Sequence, residues 1–192
     1  INYTMSKKYS TQNDLLYHNL MEFYSNKEHL DRMLNIINGE SKVSLRIVDW
    51  FATNYSKKHY TLYNILHPIT GVEMRFKVYN DYKLKLKAYQ KKRFDPFCRW
   101  DRITIPYDED THIQTTLGQL NFFKWAIENK VIDYIEEHYQ EIAADQEYRG
   151  SGSRKKEQNI DATKTRKKRE ELSILASKSI KKEEVSIIVK FS

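Results

Sequence analysis

"TTLGQLNFFKWAIENKVIDYIEEHYQEIAADQEY", residues 115–148, frames the fold of this chain. Thr115 or Thr116 stands where a helix cap is wanted, and Leu117, Leu120, Phe123, Ala126 and Ile127 share one helical side behind it. Past Asn129 a second set follows in Val131, Tyr134, Ile135, His138 and Ile142. One long helix, or two jointed at Asn129-Lys130, fits this spacing. Asp133, Glu136, Glu137, Glu141 and Asp145 make an acidic stripe on the same stretch, a docking surface for basic residues.

Upstream, four further helices are predicted. Residues 11–25 carry Leu15, Leu16, Leu20 and Phe23 behind Thr11 or Asn13, and "KEHLDRMLNIIN" stops at Asn38-Gly39. Ser41 is read as the cap of "KVSLRIVDWFATNYSKK", whose Val43, Ile47, Trp50, Phe51 and Tyr55 fall on one face. At residue 59 the pattern turns to β-branched and aromatic runs, with strands expected near 59–66 and 72–79 around the turn "PITG". "DYKLKLKAYQKK" is a short helix with Lys83, Lys87 and Lys91 on an exposed stripe, ended by Pro96. "RITIPY" is a strand, "DEDTH" a loop, and "IQT" a short strand or turn. The expected core includes Leu20, Phe23, Ile47, Trp50, Phe51, Phe76, Phe97, Leu120, Phe123, Trp125, Ile127 and Tyr134, with Trp125 off the main stripe.

The fold class expected is α+β: N-terminal helices, one small antiparallel sheet from residues 59–79 and 103–106, a C-terminal helical pair and a flexible basic tail. Residues 1–148 form the globular domain, and 149–192 form the tail. The tail is too polar and charged to bury a core alone, and only "VSIIVKF" at its end suits a strand. A chain of 192 residues supports one such domain. No stretch approaches the ~18 apolar residues of a membrane span, and "INYTMSKKYSTQNDLLYHNL" has no apolar signal core, so a soluble intracellular protein is expected, with no membrane partner. The single cysteine excludes an internal disulfide and a thiol zinc site. No cofactor or metal is expected.

Charge divides unevenly along the chain. Residues 1–148 contain equal numbers of cations and anions, so the whole +7 resides in the tail. Within the neutral body, residues 42–102 carry a net +9 and residues 103–148 a net −8. Either the halves neutralise each other, or one face is offered to a polyanion and another to a basic partner.

"KLKLKAYQKKRFDPFCRWDR", residues 83–102, has the composition of a nucleic-acid grip. Lys83, Lys87, Lys91, Lys92, Arg93, Arg99 and Arg102 are its candidate phosphate contacts, with Tyr89, Phe94 or Trp100 to stack on bases. The plainer reading anchors Phe94, Phe97 and Trp100 in the core and pairs Arg99 or Arg102 with Asp95 or Asp101. In the tail, Arg154, Lys155, Lys156, Arg166, Lys167, Lys168 and Arg169 are added as phosphate contacts, in runs that also resemble a nuclear localisation signal. Catalysis has little support. Cys98 beside Phe97 reads as a small core residue, and the Asp108, Asp110 and His112 cluster matches no metal-loop spacing.

"FDPFCRWDRITIPY", with "TTLGQLNFFKWAIENKVIDYIEEH" after it and "SLRIVDWFATNYSKK" before it, resembles a family of small uncharacterised proteins encoded by giant viruses, the nucleocytoplasmic large DNA viruses. The resemblance covers roughly residues 10–145, leaves the tail from Arg149 outside, and brings no catalytic residue with it. It implies a viral factory in the host cytoplasm, or the virion, as the setting; the basic runs of the tail add the host nucleus as a further one. The expected function is that of a non-enzymatic nucleic-acid-binding protein acting in DNA organisation, packaging or viral gene expression. Its partner would be DNA, read with weak sequence specificity. The alternative is a virion structural or scaffold protein that assembles with itself or other viral proteins through complementary charged surfaces.

Overall fold

A computed structural model describes residues 11–67, 70–108, 111–157 and 182–184. The order is α1 (Gln12–Tyr24), α2 (Lys27–Asn38), α3 (Leu45–Trp50), a π turn (Phe51–Tyr55), α4 (Ser56–Lys58), β1 (Leu62–Leu66), β2 (Glu73–Lys77), α5 (Val78–Arg93), β3 (Arg102–Pro106), β4 (Thr111–Thr116), α6 (Leu117–Glu128), α7 (Val131–Glu137), α8 (Tyr139–Glu157) and β5 (Lys182–Glu184). The class is α+β, as the periodicities predict.

Local chemistry sets most boundaries. Thr11 and Asp14 form a reciprocal capping box at the start of α1. Gly39, at φ 77°, closes α2 in the left-handed conformation. Ser44, and not Ser41, caps α3 by accepting the Ile47 N–H; the Ser41 hydroxyl is taken by the Val43 N–H in the preceding turn. In the π turn and at the start of α4, the Thr53 and Ser56 hydroxyls donate to the carbonyls of Asp49 and Ala52.

The strands make two sheets and not one. β1 and β2 pair antiparallel, and separately β3, β4 and β5 form an antiparallel sheet in the order β3-β4-β5. Geometry explains the separation. Tyr63 of β1 donates its hydroxyl to the Asn129 carbonyl at the C-terminal end of α6, whereas β4 runs straight into the N-terminal end of the same helix. Twelve residues of helix span about 18 Å, too far for hairpins at opposite ends to pair. The expected terminal strand at residues 185–191 lies outside the described residues, and Lys182–Glu184 just before it pairs with β4.

α6 is the axis of the core. Leu120, Phe122, Phe123 and Ala126 are fully buried, Trp125 nearly so, and Phe51, Leu20, Met33, Ile132 and Ile135 belong to the same cluster. Phe23, Trp50, Phe97 and Tyr134 pack against it half-buried. The helix breaks at Asn129-Lys130, where Lys130 takes φ 56°, and the chain breaks again at His138 between α7 and α8. α8 then continues past Tyr148 to Glu157, across the division read from composition.

Lys130 adopts a backbone conformation that suits glycine. Lys130→Gly is expected to stabilise the chain by about 1 kcal/mol, raising Tm by roughly 2–4 °C. The substitution loses an exposed contact to Asp133 at 3.9 Å, which is worth little. Thermal unfolding of the variant checks the sign.

Candidate nucleic-acid interface

The junction of β4 with the first turns of α6 buries polar groups. Thr115, Thr116, Gln119 and Asn121 are all buried, so each needs partners. The loop at 93–98 supplies several. Gln119 donates its amide to the Pro96 carbonyl at 3.1 Å, Asn121 to the Arg93 carbonyl at 2.9 Å, and Thr116 its hydroxyl to the Cys98 carbonyl at 3.4 Å. In return the Asp95 N–H donates to the Gly118 carbonyl at 3.3 Å. Gly118 is what permits this seat: a Cβ there would lie 2.9 Å from Cys98 Cβ and 3.0 Å from the Lys92 carbonyl oxygen. Phe94 completes the anchor, 1% exposed, with its ring centroid 5.5 Å from that of Phe122 and 5.6 Å from that of Trp125. Cys98 is buried, and its thiol donates to the Lys92 carbonyl at 3.4 Å.

Phe94 is therefore unable to stack on a base; its ring is spent on the core. Trp100 is the opposite case, 75% exposed at the end of the anchored loop. Lys83 and Lys87 are exposed on α5, away from the Tyr82, Leu86 and Tyr89 side that packs inward. α5 does not run unbroken to Pro96. It kinks at Gln90, with φ 60° and ψ 163°, and ends at Phe94. Beyond the kink Lys91 and Lys92 are exposed, Arg93 and Arg99 are half-buried, and Arg102 is exposed where β3 begins. Asp95 and Asp101 pair with lysines, Lys91 at 3.8 Å and Lys92 at 2.8 Å, where the sequence suggested arginines. Both lysines are largely in solvent, so these pairs leave most of their charge available to a phosphate. Arg154, Lys155 and Lys156 fall on the α8 backbone, and Arg166, Lys167, Lys168 and Arg169 lie outside the described residues.

Beside this surface lies a cleft of about 980 Å³ bounded by α3, the π turn, α5 and the loop. Asp49, Thr53, Tyr82 and Asp95 line it together with Lys91, Lys92, Arg99 and Trp100. Burial, then the neighbouring Asp95 carboxylate, pushes the Asp49 carboxyl up to about 6, against the pull of Lys91. Burial also raises Asp95, opposed by its hydrogen bond from the Phe97 N–H and by Lys91. Burial pushes the Tyr82 hydroxyl up to about 12. Sequence reasoning missed Asp49, which sits 46 positions from Asp95 with no motif joining them. The buried polar run in "TTLGQLN" was the available signal that a loop must dock here.

A carboxyl with a raised native pKa binds its proton more tightly folded than unfolded. Stability from this group therefore falls as pH rises from about 4 to about 6, and the deficit persists above. Asp49→Asn is expected to stabilise the chain by about 1–3 kcal/mol at about pH 8, with the gain vanishing near pH 4. Urea midpoints at the two pH values check it, and destabilisation at pH 8 would contradict it.

The acidic stripe is engaged largely within the chain. Arg32 bridges Asp133 at 2.6 Å and Glu136 at 2.9 Å. Asp145, its side chain 8% exposed, accepts from Lys58 and, at 3.2 Å, from the Trp50 indole. Burial opposes the Asp145 charge, but these donors outweigh it and hold the carboxyl below its usual range. Glu141 accepts from the Tyr55 hydroxyl at 3.4 Å. Of these partners Lys58 is the one cation from residues 42–102, and Arg32 lies outside them, so on this stripe the two oppositely charged halves meet at Asp145. In the "DEDTH" segment, residues 109–110 lie outside the described residues, and His112 belongs to β4. Among the described residues no cluster of three metal-ligating side chains occurs. No helix among them is long and apolar enough to cross a membrane.

A helical body with two small sheets, and a loop stapled to its central helix, is the structural class these residues define. The chain belongs to the family of unknown function DUF7197, whose model matches residues 1–190. The match passes the Arg149 limit drawn from the sequence resemblance and takes in most of the tail. An uncharacterized protein of Acanthamoeba polyphaga mimivirus is 42% identical over 142 residues, covering 71% of this chain and 54% of its own length. The chain thus spans about half the length of that giant-virus relative. No solved structure matches the chain.

Proposed function

We propose that this chain is a non-enzymatic nucleic-acid-binding protein that holds a strand across the exposed side of α5 and the anchored loop. The carrying observation is Trp100: a large aromatic ring left in solvent on a rigidly seated loop, with Lys83, Lys87, Lys91, Lys92 and Arg102 exposed on the same segment of chain. Exposed aromatics among cations suit unpaired bases, since every base has a stacking face and every nucleotide a phosphate. The tail cations add contacts independent of sequence, and overall specificity is weak. DNA organisation, packaging or gene expression in a viral factory or virion is the setting proposed, with the giant-virus relative as its support. Assembly of a virion scaffold through complementary charged surfaces has less support, because Arg32, Lys58 and Tyr55 already occupy much of the acidic stripe.

The test is a salt titration of full-chain affinity for single-stranded DNA, duplex DNA and RNA. The logarithm of affinity should fall linearly with the logarithm of salt concentration. Lys83→Glu with Lys87→Glu should flatten that slope by about 2. An unchanged slope would take α5 out of the interface, and no binding at low salt would refute the proposal.

A further inference from the structure

The cleft beside Trp100 differs from the surface around it. Its exposed rim carries Lys91, Lys92 and Trp100, while the half-buried Asp49 and Asp95 line it as carboxylates with Arg99 beside them. A phosphate is welcome at the rim and repelled by the carboxylates. A strand lying across this face would therefore turn its backbone to the rim and a base into the cleft, which at about 980 Å³ is large enough for a nucleotide.

Which base enters is decided by hydrogen-bond chemistry. Asp95 already accepts from the Phe97 N–H at 2.9 Å and meets Lys91 at 3.8 Å. Among the described residues no hydrogen-bond donor is seated on the Asp49 carboxylate. An ionised carboxylate accepts two parallel hydrogen bonds from adjacent N–H groups. Guanine is the one common base whose Watson–Crick edge offers two adjacent donors, N1–H and the N2 amino group. Adenine and cytosine set a ring-nitrogen lone pair beside a single amino group. Thymine and uracil flank one N–H with two carbonyl oxygens, which the carboxylate repels.

We infer that this cleft is a guanine-selective base pocket, in which the Asp49 carboxylate accepts from N1–H and N2–H while Trp100 covers the mouth. The inference rests on the proposed nucleic-acid reading and adds to it one base preference on an otherwise tolerant surface. Asp49 is a binding group here, and its raised pKa fits a carboxylate that lacks the donors a ligand would bring.

The full chain is titrated into labelled thymidine strands carrying one central guanine, hypoxanthine, adenine or thymine, at one low salt concentration. The guanine strand should bind about tenfold tighter than the thymine strand. Hypoxanthine, which keeps N1–H and lacks the amino group, should fall between them. Asp49→Asn, which loses the carboxylate without losing the fold, should bind all four alike. Equal binding of the four strands by the native chain overturns the pocket and leaves the proposed function standing. A guanine preference that survives Asp49→Asn also overturns it. If no strand binds, the proposed function fails, and the pocket is judged by guanosine monophosphate against inosine monophosphate in an NMR titration of the Trp100 indole. Equal or absent shifts for the two nucleotides overturn it there.

Discussion

Gly118→Ala will destabilise the chain by about 2 kcal/mol, although alanine is the better helix former by roughly 1 kcal/mol. The added methyl would meet Cys98 Cβ at 2.9 Å and the Lys92 carbonyl oxygen at 3.0 Å. Neither neighbour is the loose end of a flexible side chain, so the loop itself must move. Overpacking of this kind costs about 1–3 kcal/mol, which outweighs the propensity gain. Moving the loop also strains the bonds from Gln119 and Asn121 to the Pro96 and Arg93 carbonyls, both made from buried side chains. Tm should fall by roughly 4–8 °C in thermal unfolding. An alanine variant as stable as the native chain would mean that the loop is not seated against α6.

Trp100→Ala should have the opposite signature. With three quarters of its surface in solvent, the side chain contributes little to folding, and Tm should stay within about 1 °C. Stacking is worth about 1–3 kcal/mol per base, so affinity for single-stranded DNA should drop by about tenfold. The salt slope should hardly change, because no phosphate contact is lost. Loss of affinity together with a large fall in Tm would instead place Trp100 in the scaffold. The two substitutions thus separate the seat of the loop from what the loop presents.

Much of the fold was legible because local chemistry decided it. Thr11 with Asp14, Gly39, and the apolar spacing of α6 each fix a boundary within a few residues, and tertiary context had no reason to overrule them. Ser41 and Ser44 could not be ranked as caps from sequence, since both are serines before the same apolar run. The two sheets were read as one because strand patterns record which residues face a core and say nothing about which strand lies alongside. The candidate interface divides in the same way. Charge and exposure on α5 follow from its helical period, so Lys83 and Lys87 were visible. The fate of the aromatics was not. Phe94 and Trp100 look alike in composition, and only the docking of the loop sends the first into the core and leaves the second in solvent. The Asp49–Asp95 cleft arises where α3, the π turn and α5 come together beside that loop, and no periodicity encodes it.

Intrinsic tryptophan fluorescence during titration with a thymidine strand at low salt reads Trp100 against the bound bases. Trp125 is buried and Trp50 is half-buried in hydrogen bond to Asp145, so an exposed, stacking Trp100 should dominate any quenching. Saturable quenching is expected, reversed by added salt and abolished by Trp100→Ala. Quenching of equal size in Trp100→Ala, or none in the native chain while the strand is bound, would contradict it.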